Sequence, residues 1–255
     1  MSLAFDRVAD EYDETRGGEE RGLRYATFLE PHFSSQGRTL EVGIGTGIVA
    51  RPLRERGREI VGVDLSVPML RRALGRVGAR VAQADAQRLP VADASVDDAY
   101  SVWVLHVVSD VSQVLAEVAR VLRPGGRYLI VPSSPGPPDG MDDAVRELVS
   151  DMHEVLRGRS RSDDPDRVER LADLAPAAGL RLVDVVEGQS EFAETPSAIA
   201  ANIERRTYSV LWDLEPARWE QVVRPVIAAL RALPDPDLPR ARFAREQVIV
   251  LERPA

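Results

Sequence analysis

The sequence predicts an α/β fold, in which a mainly parallel sheet carries helices on both faces. Two observations indicate this class. Short apolar runs alternate with longer stretches of helical period along residues 38–132. The first of these runs leads into a glycine-rich turn (residues 40–47, LEVGIGTG), and the second, residues 60–63, ends at Asp64. A strand, a glycine turn that opens a helix, and a second strand that ends in an acid together form a nucleoside-binding arrangement.

The predicted elements follow in regular order from a leading helix at residues 19–33. Apolar, β-branched runs predict strands near 38–42, 59–63, 79–83, 97–102 and 127–132. Apolar residues at helical spacing predict the helices between them, near 47–57, 67–77 and 110–122. A proline- and glycine-rich loop near 132–140 precedes helices near 141–157 and 165–178, a strand near 181–188, helices near 196–208 and 219–230, and a last strand at 244–252.

Composition and charge narrow the class of protein. The chain has 255 residues, of which 44% are hydrophobic and 29% charged, as in an ordinary globular domain. It has no cysteine, and no apolar run is long enough to span a membrane. A net charge of -8 argues against a nucleic-acid substrate. The N-terminus shows no secretory signal pattern. We expect a cytoplasmic monomer or homodimer, without a metal site, that acts on a small molecule.

The glycine-rich turn indicates which kind of cofactor is bound. Glycines let the backbone approach a ligand closely, and Asp64 can accept hydrogen bonds from both hydroxyls of a ribose. A dinucleotide fingerprint would need glycine or alanine where Ile48 stands, and no phosphate-binding Gly-Lys-Ser/Thr follows. The carboxylate of Glu41, just before Gly43, would repel a pyrophosphate but attract a cation. The pattern favours a cationic adenosine cofactor without phosphates.

Further segments agree with this interpretation and follow in a fixed order. They are residues 5–13 (FDRVADEYD), 40–47, 63–64, 84–90 (ADAQRLP), 95–100 (SVDDAY) and 121–127 (VLRPGGR). Together they resemble the class I S-adenosylmethionine-dependent methyltransferases of the small-molecule type, in particular those with methyltransferase domains 11 and 25. The resemblance covers residues 5–190.

The resemblance implies a Rossmann-like, seven-stranded sheet whose last strand is antiparallel and pairs with the strand before it. It divides the chain into a segment that closes over the cofactor (1–37), a methyltransferase core (38–190 with 244–255) and a helical cap (191–243). The cap is the part least like the family, so we expect it to determine substrate specificity.

The expected cofactor is S-adenosylmethionine, with S-adenosylhomocysteine as its product. The glycine turn would face the methionine part, Asp64 the ribose, and Leu65 one face of the adenine. The resemblance implies that Asp85 and the N–H of Ala86 bind the adenine edge. The full set of expected cofactor contacts is Tyr12, Glu41, Gly43, Gly45, Gly47, Asp64, Leu65, Asp85, Ala86 and Ser101.

Few residues are candidates for the acceptor side. His106 follows strand four and is the candidate base, although it could instead pack or cap the next helix. Trp103 lies on the same segment, and Tyr208 and Trp212 lie between two cap helices, so these three are candidates for the substrate pocket. Tyr208 and Trp212 could equally be buried within the cap.

The sequence leaves the acceptor and some functional alternatives open. Residues 101–104 (SVWV) lack the Asn/Asp-Pro-Pro-Tyr signature of amide and nucleobase methylation, which leaves a small organic acceptor methylated on oxygen, carbon or nitrogen. Because methyl transfer needs no obligatory catalytic residue, a binding module without turnover is an alternative. A nicotinamide-dependent oxidoreductase is disfavoured by Ile48, and aminopropyl transfer lacks an evident acidic array.

Overall fold

The computed structural model describes residues 5–6, 9, 12–14, 17–133, 144–158 and 164–255. These residues form two compact units. The first holds the described residues up to Ser133 together with Pro165–Glu187 and Gln247–Ala255. The second holds 144–158, Asp164 and Gly188–Glu246. The loop expected near 132–140 falls mostly on residues 134–143, which lie outside the described residues.

The first unit is built on a seven-stranded sheet, as predicted. The strands of the sheet are β1 (Arg38–Val42), β2 (Glu59–Asp64), β3 (Val81–Gln83), β4 (Val96–Val102), β5 (Leu122–Val131), β6 (Arg181–Glu194) and β7 (Arg240–Glu252), in the spatial order β3-β2-β1-β4-β5-β7-β6. The first unit includes β6 up to Glu187 and β7 from Gln247. Strands β1 to β5 pair in parallel, and β7 runs antiparallel to β5. The last strand therefore lies between β5 and β6, and the expected fold class is confirmed.

Helices of the first unit cover both faces of the sheet. They are α1 (Gly18–Leu29), α2 (Ala50–Glu55), α3 (Val67–Val77), α4 (Val111–Val121) and α6 (Val168–Leu174). Successive residues of β5 point to opposite faces, so that Tyr128 packs in one apolar cluster and Leu129 in the other. Helices α1, α2 and α3 contribute to the cluster that contains Leu129, and α4 and α6 contribute to the cluster that contains Tyr128.

Some element boundaries differ from the prediction for local reasons. Helix α2 begins at Ala50 rather than residue 47, because Gly47 has a φ of 75° and still belongs to the turn. Helix α6 ends at Leu174, and Pro176 follows in a 3₁₀ turn. A proline has no amide hydrogen to continue the α-helical pattern.

The parallel register places several loops at one edge of the sheet. Val42 pairs with Val63, and Glu41 pairs with Tyr100. The carboxyl ends of β1, β2 and β4 therefore open side by side, which is where open parallel sheets bind ligands.

The second unit is helical apart from its strand segments. It contains α5 (Ala144–Arg157), α7 (Pro196–Glu204) and α9 (Arg224–Arg231), which pack around a separate apolar cluster, and the short exposed helix α8 (Pro216–Arg218). The sequence-based division assigns the α5 segment to the methyltransferase core, whereas the structure groups it with the second unit. A π-helical turn, Trp219–Val223, separates α8 from α9, where a continuous helix was predicted. Pro225 cannot donate to the carbonyl four residues before it, which accounts for the irregular turn. No helix within the described ranges combines the length and apolar character needed to cross a membrane.

Candidate active site

A cavity of about 260 Å³ lies at the carboxyl ends of β1, β2 and β4. Its wall is mostly apolar, and Asp64 and Asp85 are the charged side chains among the described residues that line it. The lining residues are Phe5, Tyr12, Gly43, Gly45, Val63, Asp64, Leu65, Ser66, Met69, Ala84, Asp85, Ala86, Gln87, Val102, Trp103, Val104, Val107, Val108 and Ser109. A wall with two carboxylates and no cation among these residues suits a cationic ligand and disfavours a phosphate.

The glycine-rich turn forms one side of the cavity. Gly43, Gly45 and Gly47 all have positive φ, at 72°, 55° and 75°. A Cβ on Gly43 would stand 2.4 Å from Cγ2 of Val104, whereas a Cβ on Gly45 would meet no atom within 4 Å. Gly43 therefore permits close packing of the turn, and Gly45 leaves space open in the cavity. Gly47 does not line the cavity; it packs against Ala73 of α3.

Asp64, at the end of β2, is held rigidly toward this turn. Its Oδ2 accepts a hydrogen bond of 2.8 Å from the N–H of Gly45, and its Oδ1 accepts one of 2.8 Å from the N–H of Ser66. Burial raises the pKa of Asp64, and the N–H groups of Ser66 and Gly45 partly oppose that rise. These two bonds fix the carboxylate plane, and each oxygen retains a lone pair for a ligand hydroxyl.

Asp85 is oriented by its own loop at the other side of the cavity. Its Oδ1 accepts a 2.9 Å hydrogen bond from the N–H of Gln87, and the side-chain amide of Gln87 also donates to it. Ser109 donates in turn to Oε1 of Gln87 at 2.9 Å. Ala86 and Leu65 also line the cavity, and Leu65 is exposed.

An arginine that sequence reasoning missed lies beside the cavity. Arg21 of α1 is only 6% exposed. Its guanidinium carbon is 4.8 Å from the ring centroid of Trp103 and 5.7 Å from that of Tyr12, both of which line the cavity. Trp103 has a φ of 59°, an uncommon conformation, and Tyr25 packs edge-on against its ring at 5.7 Å. The sequence signal that could have identified this residue is an arginine on the face of α1 that also carries its buried apolar residues.

Two of the expected cofactor contacts lie behind the cavity wall. Glu41 is 2% exposed, and its Oε2 accepts a 2.8 Å hydrogen bond from the hydroxyl of Tyr100. Burial raises the pKa of Glu41 well above its usual range. Ser101 is fully buried, and its hydroxyl lies 2.8 Å from the hydroxyl of Tyr128. Neither side chain lines the cavity, so the geometry does not support the expected direct contact of Ser101 with the cofactor, and Glu41 lies behind the glycine-rich turn.

His106 follows β4 but does not itself line the cavity, unlike its neighbours Val107 and Val108. Its Nδ1 is 3.9 Å from Oδ2 of Asp166, a buried carboxylate that also accepts a 2.7 Å bond from the N–H of Ser133. This separation is too long for a hydrogen bond, but it allows an ion pair when the imidazole is protonated.

The remaining candidates, Tyr208 and Trp212, belong to the second unit. There the ring of Tyr208 packs edge-on against His153, with 5.4 Å between the centroids. Their role in a substrate pocket stays a prediction.

Comparisons with known proteins agree with the geometry. Residues 40–130 match the family described as "Methyltransferase domain". The chain is 33% identical over 185 residues to a demethylmenaquinone methyltransferase of Thermobifida fusca, a match that covers 68% of this chain and 77% of that relative. It is 32% identical over 156 residues to a malonyl-[acyl-carrier protein] O-methyltransferase of Pseudescherichia vulneris, which covers 60% and 61% of the two chains.

A solved structure shows the same fold. It is phosphoethanolamine N-methyltransferase 2 of Haemonchus contortus in complex with phosphomonomethylethanolamine and S-adenosylhomocysteine, with a TM-score of 0.56 at 21% identity, covering 98% of this chain and 58% of that one. The present chain spans only 60–64% of the length of three of the curated relatives that it matches. On the Thermobifida fusca match and the shared fold, the chain belongs to the class I S-adenosylmethionine-dependent methyltransferases.

Proposed function

We propose that this chain transfers a methyl group from S-adenosylmethionine to a small organic acceptor. The observation that carries the proposal is the cavity at the carboxyl ends of the strands, where Asp64 faces an open space left by Gly45. When bound, S-adenosylmethionine supplies a methyl group already activated by its sulfonium. The task of the protein is then to bind, orient and exclude water.

The described residues divide the binding of the cofactor among them. Asp64 would accept hydrogen bonds from the ribose hydroxyls, since its carboxylate is already fixed by two N–H groups. Asp85 and the N–H of Ala86 would bind the adenine edge, and Leu65 would pack on its face. Arg21 would pair with the methionine carboxylate, because it is the described cation that packs against two lining aromatic rings.

Glu41 would act on the ammonium group, directly or through water, from behind the glycine turn. Burial raises the pKa of Glu41 well above its usual range. A bound ammonium would favour the ionised form.

His106 would act as the general base where the acceptor must lose a proton. The residue follows β4, its two successors line the cavity, and Asp166 at 3.9 Å would stabilise a protonated imidazole. The relatives named above are a demethylmenaquinone methyltransferase and a malonyl-[acyl-carrier protein] O-methyltransferase. A ring carbon or phenol must give up a proton on methylation, whereas a carboxylate need not, so His106 favours the first class.

An activity assay with several classes of acceptor tests the proposed function. Formation of S-adenosylhomocysteine is measured with hydroquinones, catechols, malonyl thioesters and simple amines, with Asp64→Ala as a binding-deficient control. Turnover of a hydroquinone or phenol that falls about a hundredfold in His106→Gln, with cofactor affinity unchanged, supports the proposal. His32→Gln, on the short turn Glu30–His32, is the matched histidine control. No turnover with any acceptor would favour a binding module instead.

We also propose a cytoplasmic monomer or homodimer that does not act on nucleic acid. The net charge of -8 supports this, because phosphate binding requires a basic face. The second unit, with Tyr208 and Trp212, is proposed to determine which acceptor is used.

A further inference from the structure

Asp13 is a buried carboxylate beside the glycine-rich turn. The proposed function assigns it no direct contact with a ligand. It is 8% exposed, and its Oδ1 accepts a 2.7 Å hydrogen bond from the hydroxyl of Thr46. Thr46 is itself buried and lies between Gly45 and Gly47. Tyr12, the residue before Asp13, lines the cavity. Asp13 therefore joins a cavity wall to the turn that forms its other side.

A cation completes this arrangement from the far side of the turn. Nη1 of Arg76, in α3, lies 2.7 Å from Oδ2 of Asp13 and donates a 2.9 Å hydrogen bond to the carbonyl of Thr46. Thr46 is thus held by its hydroxyl through Asp13 and by its carbonyl through Arg76. One negative and one positive charge also cancel at the turn.

We propose that Asp13 is a positioning residue that fixes the glycine-rich turn and neutralises Arg76, and that it thereby sets the relative affinities for S-adenosylmethionine and S-adenosylhomocysteine. This inference rests on the proposed function. The two ligands share their amino-acid and adenosine groups, but the sulfonium gives S-adenosylmethionine one positive charge more than its product. A change in net charge at the turn therefore acts on the two affinities unequally.

The sign of the effect depends on which partner is removed. Asp13→Asn removes the carboxylate that pairs with Arg76 and leaves the turn more positive, so the site repels the sulfonium ligand more than the thioether. Arg76→Gln leaves Asp13 uncompensated, so the site gains relative affinity for the sulfonium ligand. In water-like surroundings, unit charges about 3–6 Å apart interact by about 0.7–1.4 kcal/mol, which changes an equilibrium constant about three- to tenfold.

Calorimetric titration of both ligands into the full chain tests this inference. Asp13→Asn is expected to shift the ratio of the two dissociation constants about three- to tenfold against S-adenosylmethionine. Arg76→Gln is expected to shift the ratio in the opposite direction. The double variant Asp13→Asn/Arg76→Gln is expected to restore the wild-type ratio, although both ligands bind more weakly because the turn is no longer held.

Asp98, near the amino end of β4, provides a matched control outside the cavity lining. It is a buried carboxylate that accepts a 2.7 Å hydrogen bond from the hydroxyl of Ser34 and lies 3.9 Å from Arg58. Asp98→Asn is expected to reduce the free energy of unfolding while leaving the ratio of the dissociation constants unchanged. A purely structural role of Asp13 would give the same pattern.

The outcomes distinguish failure of the proposed function from failure of the role proposed for Asp13. Wild-type protein that binds neither ligand would contradict the proposed function. The wild-type protein could bind both ligands, while Asp13→Asn loses affinity for both equally and Arg76→Gln shows no opposite shift in the ratio of dissociation constants. That result would overturn only the role of Asp13. If Asp13→Asn does not fold, the sign of the shift in Arg76→Gln alone decides the question.

Discussion

Replacing Gly45 by alanine should separate the binding role of the glycine turn from its structural role. Gly45 and Gly43 both line the cavity and both have positive φ. An added Cβ on Gly45 would stand in open space, whereas on Gly43 it would lie 2.4 Å from a methyl carbon of Val104. The two substitutions carry similar backbone strain but different steric consequences.

The structure gives the size of each effect. Alanine in a left-handed conformation costs about 1–2 kcal/mol, and this should be the whole loss of folding free energy for Gly45→Ala. Gly43→Ala adds overpacking of about 1–3 kcal/mol, because carbon atoms in ordinary contact are about 3.5–4 Å apart. In Gly45→Ala the new methyl occupies ligand space, so affinity for S-adenosylmethionine should fall at least about tenfold, equivalent to about 1.4 kcal/mol.

Urea unfolding and calorimetric titration measure the two quantities separately. The expected result is a mildly destabilised Gly45→Ala with a large loss of affinity, and a more strongly destabilised Gly43→Ala. If Gly45→Ala binds S-adenosylmethionine as tightly as the wild type, the turn does not face the cofactor, and the assignment of the cavity is wrong.

Three further predictions concern charged groups at the site. Asp64→Ala should weaken S-adenosylmethionine binding at least about tenfold, since hydrogen bonds to a charged acceptor contribute about 1.5–3 kcal/mol each; unchanged affinity in a titration would contradict the ribose assignment. Arg21→Leu should reduce the affinity for both S-adenosylmethionine and S-adenosylhomocysteine about tenfold. The affinity for methylthioadenosine, which lacks the carboxylate, should stay unchanged. An equal loss of affinity for all three ligands would argue against a carboxylate contact. Burial raises the pKa of Glu41 above its ordinary 4.5, so the folded state retains a proton that the unfolded state has lost, and the free energy of unfolding falls as pH rises from 4.5 through the folded pKa. Urea unfolding at a series of pH values should show a smaller fall in Glu41→Gln, and equal slopes in the two proteins would refute this explanation.

The sequence was sufficient for those parts of the site that depend on local pattern. Gly43 and Gly45 follow a strand and need positive φ, and Asp64 ends the next strand. Because parallel strands in register end at the same edge, position along the chain was enough to bring these residues together. Leu65, Asp85 and Ala86 reached the cavity for the same reason.

Residues whose role depends on packing between distant segments were not found. Arg21 is placed at the cavity by the way α1 packs, with the backbone of Ile48 so close that a Cβ on Gly22 would lie 2.3 Å from its carbonyl oxygen. Asp13 forms an ion pair with Arg76, far along the chain, and no local pattern links the two. Conversely, Ser101 lies within β4, as the sequence predicts, but its hydroxyl lies 2.8 Å from the hydroxyl of Tyr128, away from the cavity.

Calorimetric titration of S-adenosylmethionine and S-adenosylhomocysteine, with NADH as control, tests the central claim most directly. We expect micromolar binding of S-adenosylmethionine and S-adenosylhomocysteine and no binding of NADH, because the carboxylates of Asp64 and Asp85 line the cavity and would repel a pyrophosphate. Binding of NADH alone, or of none of the three, would contradict the assignment of the cavity and the function proposed from it.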